Sequence, residues 1–218
     1  MERIKAFWLF TSRSRIHLNH GWRIALFIVA YLVVLGADAG TEPASTRPSV
    51  SLDNIEEMGG DFTLQSADGP VTLHDLRGDV VLLYFGYTHC PDACPTTLTQ
   101  WRAAFKSLPA HTQERVRGIF VSVDPERDTL ELLKTYARHF HPNIIGVTGT
   151  HGELQKISAE FRARYEKADI VSDSEYTVNH SGYVYVIDPT GKVRDLLTFQ
   201  SSADEIAASI RAAMRVGY

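Results

Sequence analysis

Apolar and polar positions along this chain fall into blocks of strand and helix length. Val80 to Phe85 is an unbroken apolar run, and Val116 to Val123 is nearly so. Both read as strands covered on two faces. Ahead of them, Asp61 to Gln65 alternates polar and apolar, Ala67-Asp68-Gly69 turns, and Val71 to Leu73 returns, which predicts a small N-terminal hairpin. After Pro95, the residues Leu98, Trp101, Phe105 and Leu108 recur at helical spacing until Pro109 stops them. Leu130 to Phe140, His151 to Tyr165 and Ala203 to Met214 read as further helices, and Ile144 to Val147 as a short strand. Tyr183 to Ile187 and Val193 to Thr198 form a closing hairpin around Asp188 to Lys192. Strands alternating with helices and ending in a hairpin predict an α/β fold with a mixed central sheet flanked by helices. Sites in such sheets gather beyond the carboxyl ends of the strands. The chain after Phe85 and the polar loop Asp124-Pro125-Glu126-Arg127-Asp128 both lie there.

The first part of the chain follows another pattern. Up to Arg23 the charges are mostly basic (Arg3, Lys5, Arg13, Arg15, Arg23 against Glu2), and Ile24 to Ala37 is uncharged and apolar. Ala37-Asp38-Ala39 ends it. This is the order of an export signal, and the apolar run is short for a spanning helix. Tilt and local thinning let such a segment stay as an anchor. The chain therefore divides into an export signal or N-terminal membrane anchor (1–39), a Pro- and Ser-bearing linker (40–58) and one globular domain (59–218). Everything from Gly40 onward is expected outside the cytoplasm, facing the periplasm or an equivalent intermembrane space. At 218 residues, 44% hydrophobic, the chain has enough for one ordinary core. Its net charge of −4 gives no basic surface for nucleic acid.

The only two cysteines are Cys90 and Cys94, placed where a buried strand gives way to a helix. Free N–H groups and partial positive charge at a helix N-terminus favour thiolate over thiol. Two such thiols one helical turn apart suit redox chemistry or metal binding. An exported compartment permits a disulfide, but one closing so small a loop adds little stability.

Three runs carry a family resemblance: YFGYTHCPDACP (Tyr84 to Pro95), VSVDPERDT (Val121 to Thr129) and VNHSGYVYVIDPTG (Val178 to Gly191). In this order they resemble the Sco/SenC family, from about Asp61 to the C-terminal helix. The resemblance implies a thioredoxin-like fold and a copper-binding assembly factor for cytochrome c oxidase. It implies copper ligation by Cys90, Cys94 and His180, the last in a loop leading into the strand at Tyr183. The partners implied are the copper-bearing oxidase subunit and an upstream copper donor. Asn179 stands where the family often has an acidic residue able to orient the neighbouring histidine. Two thiolates and an imidazole are soft donors suited to Cu(I), with Cu(II) as a second state, and also to zinc. Three protein ligands complete a Cu(I) site, whereas structural zinc wants a fourth.

The same cysteines, paired as a disulfide, would serve a thiol–disulfide oxidoreductase acting on a cysteine pair of an exported partner. Against a thioredoxin-type enzyme stand the CxxxC spacing and the absence of proline between Val178 and Ile187. A peroxidase of the peroxiredoxin kind needs Thr-x-x-Cys, and Thr88-His89-Cys90 has the wrong spacing. Asp124 either orients a site residue or docks a partner, or with Pro125 only turns the chain, with Asp128-Thr129 starting the next helix. His89 is a weaker ligand candidate, because neighbours on an extended chain point apart. Tyr84 and Tyr87 read as core and wall.

Overall fold

The computed structural model describes residues 55–216. The export segment, and most of the linker read before the domain, lie outside the described residues.

Among the described residues, nine strands and five helices follow a short 3-10 turn at Ile55–Glu57. In order they are β1 (Thr63–Ser66), β2 (Gly69–Thr72), β3 (Val80–Gly86), α1 (Ala93–Ser107), α2 (Ala110–Gln113), β4 (Val116–Ser122), α3 (Leu130–Phe140) and β5 (Ile144–Val147). Then come α4 (His151–Glu160), β6 (Tyr165–Ala168), β7 (Thr177–His180), β8 (Tyr183–Ile187), β9 (Val193–Thr198) and α5 (Ala203–Met214). The central sheet runs β5-β4-β3-β8-β9. β3 is parallel to β4, and β4 to β5, while β8 lies antiparallel to both β3 and β9. The sheet is mixed, as the pattern predicts.

β3 is buried along its whole length, and its alternation divides the core. Val81, Leu83 and Phe85 join Leu64, Leu154, Ile157, Phe161 and Tyr185 on one face. Val80, Leu82 and Tyr84 join Leu98, Trp101 and Phe105 of α1, Leu133 of α3 and Ile206 and Ile210 of α5 on the other. Helices cover both faces, so β3 and β4 have no polar side to show. The β1–β2 hairpin adds to the sheet edge through reciprocal bonds between Gln65 and Thr148, N to O at 2.9 and 3.0 Å. α4 and α5 begin with reciprocal capping boxes, Thr150 with Glu153 and Ser202 with Glu205.

Three local expectations are corrected. The helix read to Tyr165 stops at Glu160, because Arg162 adopts a left-handed φ of 53°. Tyr165 instead opens β6, which pairs with β7 from Tyr165↔His180 to Ala168↔Thr177. His180 is therefore the last residue of a strand and not a loop residue. The returning strand of the first hairpin ends at Thr72, and Leu73–Leu76 is a 3-10 turn. Within the stretch read as linker, Ile55 is buried against the core.

Close packing of α1 on the sheet depends on Gly118 in β4. A Cβ there would lie 2.8 Å from Trp101 Cζ3. Gly118→Ala is expected to lower stability by about 1–3 kcal/mol through overpacking. Urea denaturation checks this, and an unchanged midpoint contradicts it.

Candidate metal centre

β3 ends at Gly86, and the chain turns through Tyr87, Thr88 and His89, with Cys90 N–H donating to Tyr87 O at 3.3 Å. α1 begins three residues after Cys90, so Cys94 sits in its first turn. The flanking Asp92 makes no side-chain cap. The Cys90 sulfur takes that place, accepting the Cys94 N–H at 3.5 Å. An anionic sulfur at a helix N-terminus is stabilised by the dipole and by the orphan donors there.

Cys94 is fully buried and Cys90 half-buried, and both are free thiols. The Cys94 sulfur rests on Gly86, where a Cβ would come within 2.6 Å of it. Only glycine leaves that space on β3.

His180 arrives from the far end of the chain. Its Nε2 is 3.6 Å from Cys94 Sγ. Its Nδ1 lies 3.3 Å from the Ser181 carbonyl, a contact that orients the ring with Nε2 toward the sulfurs. The ring stands edge-on between Tyr84 and Tyr87, with centroids 5.6 and 6.0 Å away. One ligand atom each from Cys90, Cys94 and His180 falls within 4.8 Å of the others. Asn179 is exposed and paired across the hairpin with Glu166. The orienting contact expected at its position comes instead from the Ser181 carbonyl.

The loop after β4 fastens both halves of this site. The buried Asp128 accepts from Thr88 N–H at 2.9 Å, Thr88 Oγ1 at 2.6 Å and Ser122 Oγ at 2.6 Å, which pins the cysteine turn. Asp124, also buried, accepts from Arg127 Nε at 2.6 Å and from the Tyr176 hydroxyl at 2.5 Å. Arg127 stacks 3.6 Å over the Tyr176 ring and donates to the Tyr176 carbonyl at 2.9 Å. Tyr176 immediately precedes β7, so this knot holds the strand that ends in His180. Asp124 is thus both a turn residue and an anchor, while Thr129 rather than Asp128 caps α3. His89 turns away from the sulfurs to Asp128, 3.4 Å distant. Ligand atoms of His89, Asp124 and Asp128 also approach one another. Their carboxylates are already occupied by Thr88, Ser122, Arg127 and Tyr176, so that cluster ties loops together. Sequence reasoning named Asp124 and Arg127 but missed Asp128, Tyr176 and Gly86 as parts of the site's frame. The only signal for Asp128 and Gly86 was their place in the motif runs, and Tyr176 lies just outside the third.

The two thiols differ sharply. The Cys94 S–H donates to the Cys90 sulfur and, with the His180 ring and the N–H groups of Cys94 and Asp92, outweighs partial burial to bring Cys90 down to about 3. Burial pushes the Cys94 thiol well up, and the neighbouring Cys90 thiolate pushes it further. At neutral pH Cys90 is the thiolate and Cys94 the thiol.

The sequence matches the family described as SCO1/SenC over residues 51–215. It is 34% identical over 179 residues to an SCO2-like protein of Rickettsia felis, covering 81% of this chain and 86% of that one. The structure is similar to that of Arabidopsis thaliana ScoI with copper bound, with 35% identity and a TM-score of 0.66, over 72% of this chain and 98% of that one. It is also similar to BsSco, described with a disulfide switch and as a member of the Sco family of cytochrome c oxidase assembly proteins. That likeness has 27% identity and a TM-score of 0.60, over 74% of this chain and 95% of the other.

The asymmetry of the thiols sets a pH dependence. Cys90 stays ionised through mildly acidic solution, and Cys94 holds its proton above neutrality. Iodoacetamide at mildly acidic pH is therefore expected to modify Cys90 and spare Cys94, as read by peptide mass mapping. Equal labelling, or Cys90 reactivity that emerges only in alkaline solution, contradicts the assignment.

Proposed function

The chain belongs to the SCO1/SenC family, and we propose that it is a copper metallochaperone that delivers copper to the copper-bearing subunit of cytochrome c oxidase during assembly. The observation that carries this reading is the approach of two sulfurs and one imidazole nitrogen within 4.8 Å. Among the described residues no fourth His, Cys, Asp or Glu joins that group. Three soft donors satisfy Cu(I) and leave a side open for a partner's ligand.

The residues divide the work. Cys90, ionised and half-exposed, meets the incoming copper first. Cys94 gives up its proton as its sulfur binds, so uptake releases a proton and weakens as pH falls. His180 completes the set through Nε2. Release runs by ligand exchange: a donor atom of the acceptor subunit takes one position at the open side, and His180, on a separate hairpin, is the ligand freest to withdraw. Copper reaches the site from an upstream donor by the same exchange in reverse. The basic and then apolar N-terminal pattern supports an exported, membrane-tethered chain. Among the described residues no helix is long and apolar enough to cross a membrane.

A second reading, thiol–disulfide oxidoreductase, is favoured by the unequal thiols. The Cys90 thiolate would attack a partner disulfide and expel one partner thiolate. Cys94, losing its proton, would then attack Cys90 Sγ, expel the second and leave the Cys90–Cys94 disulfide. Two electrons pass to the partner. That disulfide blocks copper binding, so the two activities exclude each other at any instant.

Anaerobic Cu(I) titration of the reduced protein against a competing chelator tests the first reading. Tight one-to-one binding is expected, lost in Cys90→Ser and Cys94→Ser and strongly weakened in His180→Ala, with the far-ultraviolet spectrum unchanged. Binding indifferent to His180 would sink the three-ligand centre. Weak binding by the parent, with reduction of an oxidised cysteine pair in an oxidase subunit fragment, favours the second reading.

A further inference from the structure

The inner wall of the metal centre is a phenol without a settled partner. Tyr84, in the middle of β3, is fully buried. Among the described residues its hydroxyl has no partner at hydrogen-bond geometry. An idle buried hydroxyl is destabilising, and such a group in a native fold calls for an explanation. The Tyr84 ring lies edge-on to His180 at 5.6 Å. Its hydroxyl has the Cys94 thiol and the Thr97 hydroxyl as polar neighbours. Strand geometry puts it there. Tyr84 and Gly86 lie two residues apart on one face of β3, and the Cys94 sulfur fills the space over Gly86.

Two acceptors compete for the Tyr84 proton. The Thr97 hydroxyl spends its own hydrogen on the Ala93 carbonyl at 2.8 Å, leaving its oxygen as a neutral acceptor. The Cys94 sulfur is a weak acceptor as a thiol and a strong, charged one as a thiolate. Copper binding converts the first state into the second.

We propose that Tyr84 is a tuning residue of the metal centre: its hydroxyl donates a hydrogen bond to Cys94 Sγ when that sulfur becomes a metal-bound thiolate, and so biases the centre toward Cu(I). This rests on the copper reading above. No proton is transferred, and Tyr84 stays a phenol throughout. A hydrogen bond to a ligating thiolate withdraws charge from sulfur and weakens its donation. Cu(II) depends on that donation more than Cu(I) does, so hydrogen bonding around a cysteine sulfur shifts the potential. A carrier that hands on Cu(I) gains from a sulfur held in this way.

The test compares Tyr84→Phe in the full chain with the parent and with Tyr185→Phe. Tyr185 also carries a buried hydroxyl without a partner among the described residues, but it lies in the core on the other face of the sheet. Each protein is loaded with Cu(II), and the thiolate-to-copper charge-transfer band is recorded. Cu(I) and Cu(II) affinities are measured by chelator competition. Tyr84→Phe is expected to move the band to lower energy and to reduce the ratio of Cu(I) to Cu(II) affinity roughly tenfold, the scale of one charge-assisted hydrogen bond. Tyr185→Phe should match the parent. Thr97→Val removes the competing acceptor and should move the band to higher energy. A band and ratio unchanged in Tyr84→Phe, the same shift in Tyr185→Phe, or a Thr97→Val band unmoved or lowered overturns the inference. If Tyr84→Phe does not fold, the Thr97→Val band decides alone. A parent with no thiolate–copper band fails the copper reading itself, which is a different result from a parent band that Tyr84→Phe leaves in place.

Discussion

The pairing of Asp124 with Arg127 and Tyr176 is the constraint on which the rest of the site depends. His180 stands 86 residues from Cys94 in the chain, on a short hairpin outside the central sheet. What holds that hairpin against the cysteine turn is one buried carboxylate, one guanidinium and one phenol. The carboxylate makes charge-assisted bonds on both oxygens, 2.6 Å to Arg127 and 2.5 Å to Tyr176, and is fully buried. Losing Arg127 would strand that charge in the core, a change that typically costs about 3–5 kcal/mol. Asp128, four residues on, does the same for Thr88 and the turn before Cys90. One loop thus sets the distance between candidate ligands supplied by different parts of the chain.

That arrangement separates a buried half of the site from a partly exposed half. Cys94 is fixed by the helix, by Gly86 beneath it and by the core on one side of β3. Cys90 and His180 are partly open. The pair of thiols is polarised by the same geometry: burial keeps Cys94 protonated, and its S–H keeps Cys90 ionised. A soft ion meets a ready thiolate at the mouth and a reserve thiol behind it. The same order, exposed nucleophile first and buried thiol second, is what disulfide exchange requires. The two proposed activities, copper transfer and thiol reduction, therefore draw on one pair of residues.

Much of this was legible from residue order. The six apolar residues from Val80 to Phe85 predict a strand buried on two faces because no polar side is left to face water. The spacing of Leu98, Trp101 and Phe105 predicts the helix behind the cysteines. Cys90 and Cys94 announce themselves as the only thiols, and the motif around His180 offers a third candidate ligand through family resemblance. The hairpin β6–β7 was not legible. Its strands are four residues long and mostly polar, so they show no alternation, and their pairing depends on contacts with the loop after β4. The end of α4 was missed because the break is a left-handed Arg162, a residue with no turn signature.

The sequence by itself determined the α/β class, the two covered strands and the helix that begins at the cysteines, because periodicity is a local property; Cys90, Cys94 and His180 were singled out as candidate donors through the motif resemblance. Only the tertiary structure decided which sulfur is ionised, which nitrogen of His180 faces it and what holds the two together. Those depend on burial, on a glycine two strand positions from a phenol and on a carboxylate shared between distant segments. Such distances are set by packing, and packing is not written in the order of neighbours along a chain.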